Sequence, residues 1–275
     1  MVRSLAGFGV LVAMRERTRF AAEVLERLPD LRLLVSTGPV NSAIDVAAAR
    51  NLGITVCGTG YESHPTVEHT WALILAAARN LPEEVESIRK GGWQVSVGDG
   101  LFGKTLGILG LGHIGVEVAR VGQAFGMNTI AWSQNLTPEH ASEHGVRAVT
   151  KKQLFTESDV VTIHLVLSER TRGLVGAADL LAMKPTAILV NTSRGPIIDE
   201  DALFETLSDQ RIRCAAIDVF DTEPLLADHR LRSLPNTLLT GHVGYVTREQ
   251  YETFYKDSVE DIAAFQAGTP IRLME

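Results

Sequence analysis

The sequence predicts an α/β fold of two domains, each built around a parallel β-sheet. Short apolar runs typical of buried strands alternate along the chain with stretches of helical character, and such alternation indicates parallel strands joined by crossover helices. The later runs are almost continuously apolar, which is expected of strands covered by helices on both faces. The length of 275 residues accommodates one large domain or two.

The smaller predicted domain begins the chain as an alternation of strands and helices. We expect strands at residues 10–14, 33–37 and 54–57 and helices at residues 20–28 and 43–51. The apolar run of residues 5–14 also resembles the hydrophobic part of a secretory signal. However, the mostly charged residues 15–19 follow it without a cleavage pattern, and the run is far shorter than the ~20 residues that span a bilayer. We therefore interpret it as a buried strand.

The larger predicted domain is a doubly wound parallel sheet. Residues 67–80 predict a helix that links the two domains, because Ser63 and Pro65 suit its start and Pro82 lies just beyond its end. Strands are then expected at residues 105–109, 128–132, 159–165, 187–191, 214–219 and 237–240. The expected domains are residues 1–66 together with 248–275, and residues 67–247.

The composition favours a small-molecule ligand. Lys and Arg number 26 against 33 Asp and Glu, for a formal net charge of −7, so nothing in the overall charge attracts nucleic acid or an anionic membrane. The two cysteines, Cys57 and Cys214, lie in distant apolar runs, which is neither a disulfide framework nor a zinc spacing. We expect buried free thiols in a cytoplasmic protein.

A glycine-rich turn follows the strand expected at residues 105–109. The pattern G-x-G-x-x-G begins there and opens a helix that runs to about residue 125. Its first glycine can make the tight turn, its second lets the backbone approach a pyrophosphate, and its third lets the helix pack on the sheet. A Rossmann-type doubly wound parallel sheet that binds a dinucleotide is therefore predicted. The candidate ligands are Gly110, Gly112, His113, Ile114 and Gly115.

The end of the next strand leaves the choice between NAD and NADP open. An acidic residue is expected there to hydrogen-bond the adenosine ribose, but Ser133 occupies the position, followed by Gln134 and Asn135. Without the acid, nothing repels a 2′-phosphate. No Arg or Lys follows before Arg147 to bind one, and we therefore favour NAD.

Three further clusters of polar residues follow predicted strands of the same sheet. They occupy residues 191–195, 218–224 and 241–244. Because ligands of an open α/β sheet bind outside the carboxyl ends of its strands, we expect all three in the crevice that holds the dinucleotide. There Arg194 can bind a carboxylate with both arms of its guanidinium, His242 can exchange a proton near neutral pH, and Glu223 can orient the imidazole.

The order of these motifs resembles that of the D-2-hydroxyacid dehydrogenases, which include phosphoglycerate dehydrogenases and glyoxylate/hydroxypyruvate reductases. Similar stretches are Leu-Phe-Gly-Lys-Thr-Leu-Gly at residues 101–107 and Ser-Thr-Gly-Pro-Val-Asn at residues 36–41, followed by Ile44 and Asp45. The resemblance therefore covers nearly the whole chain. It implies an NAD(P)-dependent oxidoreductase that transfers hydride between nicotinamide and a small 2-oxo or 2-hydroxy acid.

The resemblance also implies a role for each site residue. Arg194 would hold the substrate carboxylate, His242 would act as acid and base, and Glu223 would be its partner. The remaining cofactor-binding candidates are Ser133, His164, Thr192, Asp218, His242 and Gly244. The substrate-binding candidates are Thr37, Gly38, Pro39, Val40, Arg194 and His242. The loop of residues 37–41 would offer backbone amides to the substrate carboxylate.

The resemblance implies two further features. The smaller domain would be flavodoxin-like and truncated, because the family's usual first βαβ segment is absent, so residues 10–14 would form the edge of a three-stranded sheet. Relatives are usually dimers through the dinucleotide-binding domain, so we expect a homodimer. The clipped small domain keeps an alternative open, a protein that binds the dinucleotide and partners without useful turnover.

Three histidines admit more than one interpretation. His164 ends a predicted strand, where it touches the cofactor or is a satisfied core residue. His140 and His144 have the i, i+4 spacing of metal ligands, but they lie among polar residues of a helix. We interpret that helix face as solvated and predict no metal site.

Overall fold

The computed structural model describes residues 1–275, which form two compact units. The small unit comprises residues 1–62 and 246–275, and the large unit comprises residues 63–245. The domain boundaries expected from the sequence, at 66–67 and 247–248, lie close to these bounds.

The secondary structure is numbered in chain order. The helices are α1 (Val2–Leu5), α2 (Ala22–Leu25), α3 (Val46–Asn51), α4 (His64–Ala78), α5 (Leu81–Arg89), α6 (His113–Ala124), α7 (Pro138–Glu143), α8 (Lys151–Glu157), α9 (Ala177–Leu181), α10 (Glu200–Ser208) and α11 (Arg248–Gln266). The strands are β1 (Val10–Ala13), β2 (Leu33–Ser36), β3 (Thr55–Gly58), β4 (Thr105–Leu109), β5 (Asn128–Trp132), β6 (Arg147–Ala148), β7 (Val160–Ile163), β8 (Ile188–Asn191), β9 (Cys214–Ile217) and β10 (Thr237–Leu239).

The small unit contains a three-stranded parallel sheet in the order β1-β2-β3. The central strand β2 is buried along its whole length. Its residues Leu33 and Val35 pack against Ile262 and Phe265 of α11, while Leu34 belongs to the apolar cluster on the other face. Both faces of the sheet are therefore covered, as parallel sheets require.

The N-terminal apolar run is not one buried strand. Its first residues end helix α1, Gly7 has a φ of +84°, and β1 begins only at Val10. Val12 is 45% exposed because β1 has a neighbour on one side only. The expectation of a buried strand over residues 5–14 is therefore wrong, whereas the expectation that residues 10–14 form a sheet edge is confirmed.

The large unit contains a seven-stranded parallel sheet in the order β10-β9-β8-β7-β4-β5-β6. From β4 the chain continues outward through β5 and β6, and it then returns to build the other half from β7. The strand order therefore reverses between β4 and β7, and ligands of such sheets bind at this reversal. The six strands expected from the sequence are all present, and only the two-residue β6 was not expected.

Two apolar clusters cover the faces of this large sheet. One includes Trp71 and Ile74 of α4 and Val118 of α6, and the other includes Leu154 of α8 and Leu203 of α10. The predicted linking helix corresponds to α4. No helix of the chain is both long enough and apolar enough to cross a membrane.

The two cysteines are free. Cys57 is buried, whereas Cys214 is only partly buried, so the expectation of two buried thiols is wrong for the second. Burial raises the pKa of each thiol to about 11.

Candidate active site

The glycine-rich turn joins β4 to α6 at the reversal of strand order. Gly110 has a φ of +104°, and a Cβ there would lie 2.6 Å from the carbonyl oxygen of His164. At Gly115 a Cβ would lie 2.1 Å from the carbonyl oxygen of Gly110. Both positions therefore require glycine, the first for its backbone conformation and close packing and the second for the contact between helix and turn.

The second glycine leaves room for an anion. Gly112 is the N-cap of α6, no side chain caps the helix, and a Cβ at Gly112 would meet no atom within 4 Å. The free amides and the helix dipole favour a negative group at this end. The pyrophosphate of a dinucleotide fits this space, with the amides of His113 and Ile114 in the first turn of the helix.

His164 follows β7 directly beside the glycine-rich turn. Its amide donates to the carbonyl of Leu109 at 2.8 Å, and its Nε2 lies 2.9 Å from the hydroxyl of Thr162. Burial lowers the pKa of its imidazole to about 3, so the ring is neutral at physiological pH. The imidazole of His164 is thus neutral and hydrogen-bonded, and its backbone packs against the turn. The structure is compatible with both interpretations of this residue, a contact to the cofactor and a satisfied core histidine.

A close pair of side chains lies at the ends of two further loops of the large unit. His242 Nδ1 is 2.6 Å from Glu223 Oε2, and Glu223 Oε1 accepts the amide of Phe220 at 3.0 Å. Burial raises the pKa of Glu223, but the hydrogen bonds from His242 and Phe220 and the charges of His242 and Arg194 outweigh it, so the net pKa is lowered. Glu223 is therefore a fixed carboxylate that holds the imidazole through Nδ1, which leaves Nε2 to exchange a proton with a ligand.

The backbone around His242 is held tightly. Its φ of +56° lies in the left-handed region, and its amide donates to the carbonyl of Asp218 at 2.7 Å. The ring stands edge-on to Tyr245 with 5.8 Å between centroids. Such strain in a non-glycine residue persists only where the surroundings enforce it, which is common at functional sites.

Arg194 reaches the same place from the loop after β8. Asn191 fixes that loop by donating from Nδ2 to the carbonyl of Arg194 at 3.0 Å and by accepting the amide of Ser193 at 3.0 Å. A Cβ at Gly195 would lie 2.2 Å from the carbonyl carbon of Phe220, so this turn packs directly on the loop that carries Glu223. The charge of Arg194 accordingly lowers the pKa of Glu223, and the predicted triad is brought together.

Asp218 is a buried carboxylate at the end of β9. It accepts from the Thr240 hydroxyl at 2.5 Å and from the amides of Val243 and Gly244 at 2.9 Å each. Burial raises its pKa, but these hydrogen bonds and one from His69 outweigh it, and the net pKa is lowered. Asp218 therefore fixes the loop that carries His242.

The sequence analysis did not single out His69 of α4 as a site residue. Its Nε2 lies 3.3 Å from Asp218 Oδ1 and 3.1 Å from the Thr240 hydroxyl. One residue further along α4, the Thr70 hydroxyl is 2.8 Å from that of Thr192, a predicted cofactor residue. The available signal was helical spacing, because the i, i+3 and i+4 positions of Thr66, His69 and Thr70 put three polar side chains on one face of α4.

The predicted substrate loop lies in the small unit, and two of its amides are already used. The amide of Thr37 donates to the carbonyl of Ala13 at 2.9 Å, and that of Gly38 donates to the Thr59 hydroxyl at 2.7 Å. Pro39 has no N–H. The expectation that Thr37 and Gly38 offer amides to a substrate is therefore wrong for this conformation. Of residues 37–41, the amides of Val40 and Asn41 make no backbone hydrogen bond, and Val40 is 69% exposed.

His140 lies on α7 and is exposed, and His144 caps the end of that helix and is partly exposed. His140, Glu143 and His144 place one potential ligand atom each within 4.8 Å of one another. Glu143 is a third potential ligand, which the sequence interpretation did not single out. The absence of a metal site stays a prediction.

Comparison with known proteins decides the family. The model of the D-isomer specific 2-hydroxyacid dehydrogenase, NAD binding domain, matches residues 71–244. The chain belongs to the D-isomer specific 2-hydroxyacid dehydrogenases. The resemblance drawn from the motifs is thereby confirmed, and the 2-hydroxyacid dehydrogenase is an NAD(P)-dependent oxidoreductase.

Individual relatives cover most of the chain. A glyoxylate reductase of Aeropyrum pernix is 41% identical over 260 residues, which are 91% of this chain and 78% of the relative. A D-3-phosphoglycerate dehydrogenase of Archaeoglobus fulgidus is 35% identical over 99% of this chain, which spans 52% of that enzyme. The crystal structure of a phosphoglycerate oxidoreductase from Vibrio cholerae superimposes with a TM-score of 0.93 at 38% identity, covering 97% of this chain and 87% of that one.

Proposed function

We propose that this dehydrogenase acts mainly as a reductase of small 2-oxo acids, with Arg194, Glu223 and His242 as its catalytic residues. The observation that carries the proposal is the 2.6 Å contact between His242 Nδ1 and Glu223 Oε2. The positive charge of Arg194 acts on the same pair, because it lowers the pKa of Glu223. A fixed imidazole, a carboxylate and a guanidinium are the groups needed to protonate an oxygen beside a bound carboxylate.

Each residue has a distinct task. Arg194 binds the substrate carboxylate through its planar guanidinium and polarises the neighbouring carbonyl. When bound, the nicotinamide supplies the hydride. His242 donates a proton from Nε2 to the oxygen of that carbonyl, and Glu223 stabilises the imidazolium that must be present beforehand. A positioned acid of this kind contributes typically ~10²–10⁴-fold to the rate.

Other residues position the coenzyme and the substrate. The turn of Gly110, Gly112 and Gly115 takes the pyrophosphate, while Thr192, Asp218 and Gly244 lie with His242 on the nicotinamide side. The predicted substrate residues Thr37, Gly38, Pro39 and Val40 belong to the small unit.

The test is a panel of 2-oxo acids. Glyoxylate, hydroxypyruvate, pyruvate and phenylpyruvate are mixed with the protein and with NADH or NADPH, and the loss of nicotinamide absorbance is followed. We expect turnover of at least one small acid, with glyoxylate the first to test because a relative is a glyoxylate reductase. Coenzyme binding without turnover of any acid would instead support the alternative of a dinucleotide-binding protein without useful catalysis.

Assembly and location complete the proposal. Three large apolar residues of the large unit, Trp93, Val97 and Phe102, are 74%, 93% and 87% exposed. We assign them to the contact of a homodimer with a second copy of the chain, because large exposed apolar area marks interaction sites. The free thiols of Cys57 and Cys214 are typical of a reducing compartment, and we place the protein in the cytoplasm.

A further inference from the structure

The loop after β5 lacks the acid that would select NAD. Ser133 follows the last residue of that strand, and Gln134 and Asn135 come next. A carboxylate at this position accepts hydrogen bonds from the adenosine ribose and repels a 2′-phosphate. The hydroxyl of Ser133 carries no charge and makes no hydrogen bond within the protein, so it is available to a ligand.

The fold brings a cation to this loop from a distant part of the chain. Arg170, in the segment after β7, donates from Nη2 to Asn135 Oδ1 at 3.4 Å, and its carbonyl accepts Gln134 Nε2 at 3.0 Å. The two contacts join the loops that follow β5 and β7. The local sequence gave no sign of this, because Arg170 lies 35 residues beyond Asn135.

The guanidinium of Arg170 is not neutralised by the protein. It forms no ion pair, and its side chain is exposed. The guanidinium of Arg170 is exposed and contacts Asn135, two residues from the uncharged Ser133. Such an arginine can bind a phosphate monoester at this loop, because the planar guanidinium matches phosphate oxygens.

We propose that Ser133 and Arg170 form a binding site for the 2′-phosphate of NADP(H), so that this dehydrogenase prefers NADPH to NADH. The site rests on the coenzyme placement given above, in which the adenosine ribose lies at the end of β5. Arg170 is the specificity-determining residue, and Asn135 holds its guanidinium in place.

Coenzyme binding tests the proposal independently of turnover. The protein is titrated with NADPH and, separately, with NADH, and coenzyme fluorescence gives each Kd. We expect a Kd for NADPH at least about tenfold lower than that for NADH. Arg170→Ala should raise the Kd of NADPH about 10- to 100-fold, as expected for loss of a hydrogen bond to a charged group, and leave that of NADH within about twofold.

Two further variants sharpen the experiment. Arg172→Ala, at an exposed arginine of the same segment, is the matched control and should change neither Kd. Ser133→Asp restores an acid at the ribose and should reverse the preference in favour of NADH.

The possible failures are distinguishable. Equal binding of the two coenzymes by the unchanged protein, or an equal loss of both in Arg170→Ala, overturns this inference and leaves the proposed reductase intact. An unchanged NADPH Kd in Arg170→Ala does the same. If neither coenzyme binds, the coenzyme placement itself is wrong, and this inference fails with it.

Discussion

At the scale of single residues, the 2.6 Å contact between His242 and Glu223 makes the proposed acid depend on the charge of its partner. Because the pKa of Glu223 is lowered, its carboxylate is charged at neutral pH and can accept a charge-assisted hydrogen bond from the imidazole. Only when the pH falls through the lowered pKa is this support lost. In the proposed reduction, His242 is the acid that protonates the substrate oxygen.

Glu223→Gln tests this dependence. The variant keeps the size of the side chain but removes its charge, so the imidazolium loses a charge-assisted hydrogen bond worth about 1.5–3 kcal/mol. We expect kcat/KM for reduction to fall about 10- to 100-fold. Steady-state kinetics with a 2-oxo acid that the unchanged protein reduces measure this effect.

The control for this variant is coenzyme affinity. Glu223 lies on the substrate side in the proposed arrangement, so the Kd of the coenzyme should stay unchanged. An unchanged kcat/KM in the variant would contradict the role given to Glu223.

At the scale of elements, the turn after β8 aligns the catalytic loops. A Cβ at Gly195 would lie 2.2 Å from the carbonyl carbon of Phe220, and neither backbone can yield cheaply. We predict that Gly195→Ala lowers the free energy of unfolding by about 1–3 kcal/mol, as overpacking does, and reduces kcat by displacing Arg194 from Glu223. Chemical denaturation and kinetics measure the two effects.

Gly176→Ala is the matched comparison. A Cβ there would meet no atom within 4 Å, and φ is −107°. Its effect on unfolding should be within about 0.5 kcal/mol. Equal stability of the two variants would show that the contact between the loops does not constrain the site.

Much of the element order was readable from the sequence, because each strand of the large unit except β6 is an apolar run between polar segments. β6 escaped because it has two residues, one of them the exposed Arg147, and so it carries no pattern of burial. The contacts of Arg170 and His69 escaped for a different reason. Both join residues far apart in the chain, and no local periodicity records which loops the topology brings together.

At the scale of the whole molecule, the exposed surface of Trp93, Val97 and Phe102 predicts self-association. The double variant Val97→Asp/Phe102→Asp should convert a dimer into a monomer, because it puts two charges into a contact that would otherwise be apolar. Sedimentation at micromolar concentration measures the mass. The control is Val259→Asp on α11, which is 66% exposed in the unchanged protein and should leave the dimer intact.

A dimeric double variant would place the interface elsewhere, and an unchanged protein that sediments as a monomer would refute the assembly itself.

The family, and with it the reaction class, was readable from four ordered motifs. The substrate loop was predicted less well, because whether an amide is free depends on its neighbours in space, as Thr59 shows for Gly38.

The small unit is assembled from two stretches of chain separated by the whole large unit. Leu33 and Val35 are covered by α11, which the ribosome makes only after residues 63–245. The large unit is contiguous and can fold as soon as it emerges, since domains generally fold as units during synthesis. In the nascent protein, the large unit can therefore be folded while Leu33 and Val35 of the first sheet are not yet covered by α11.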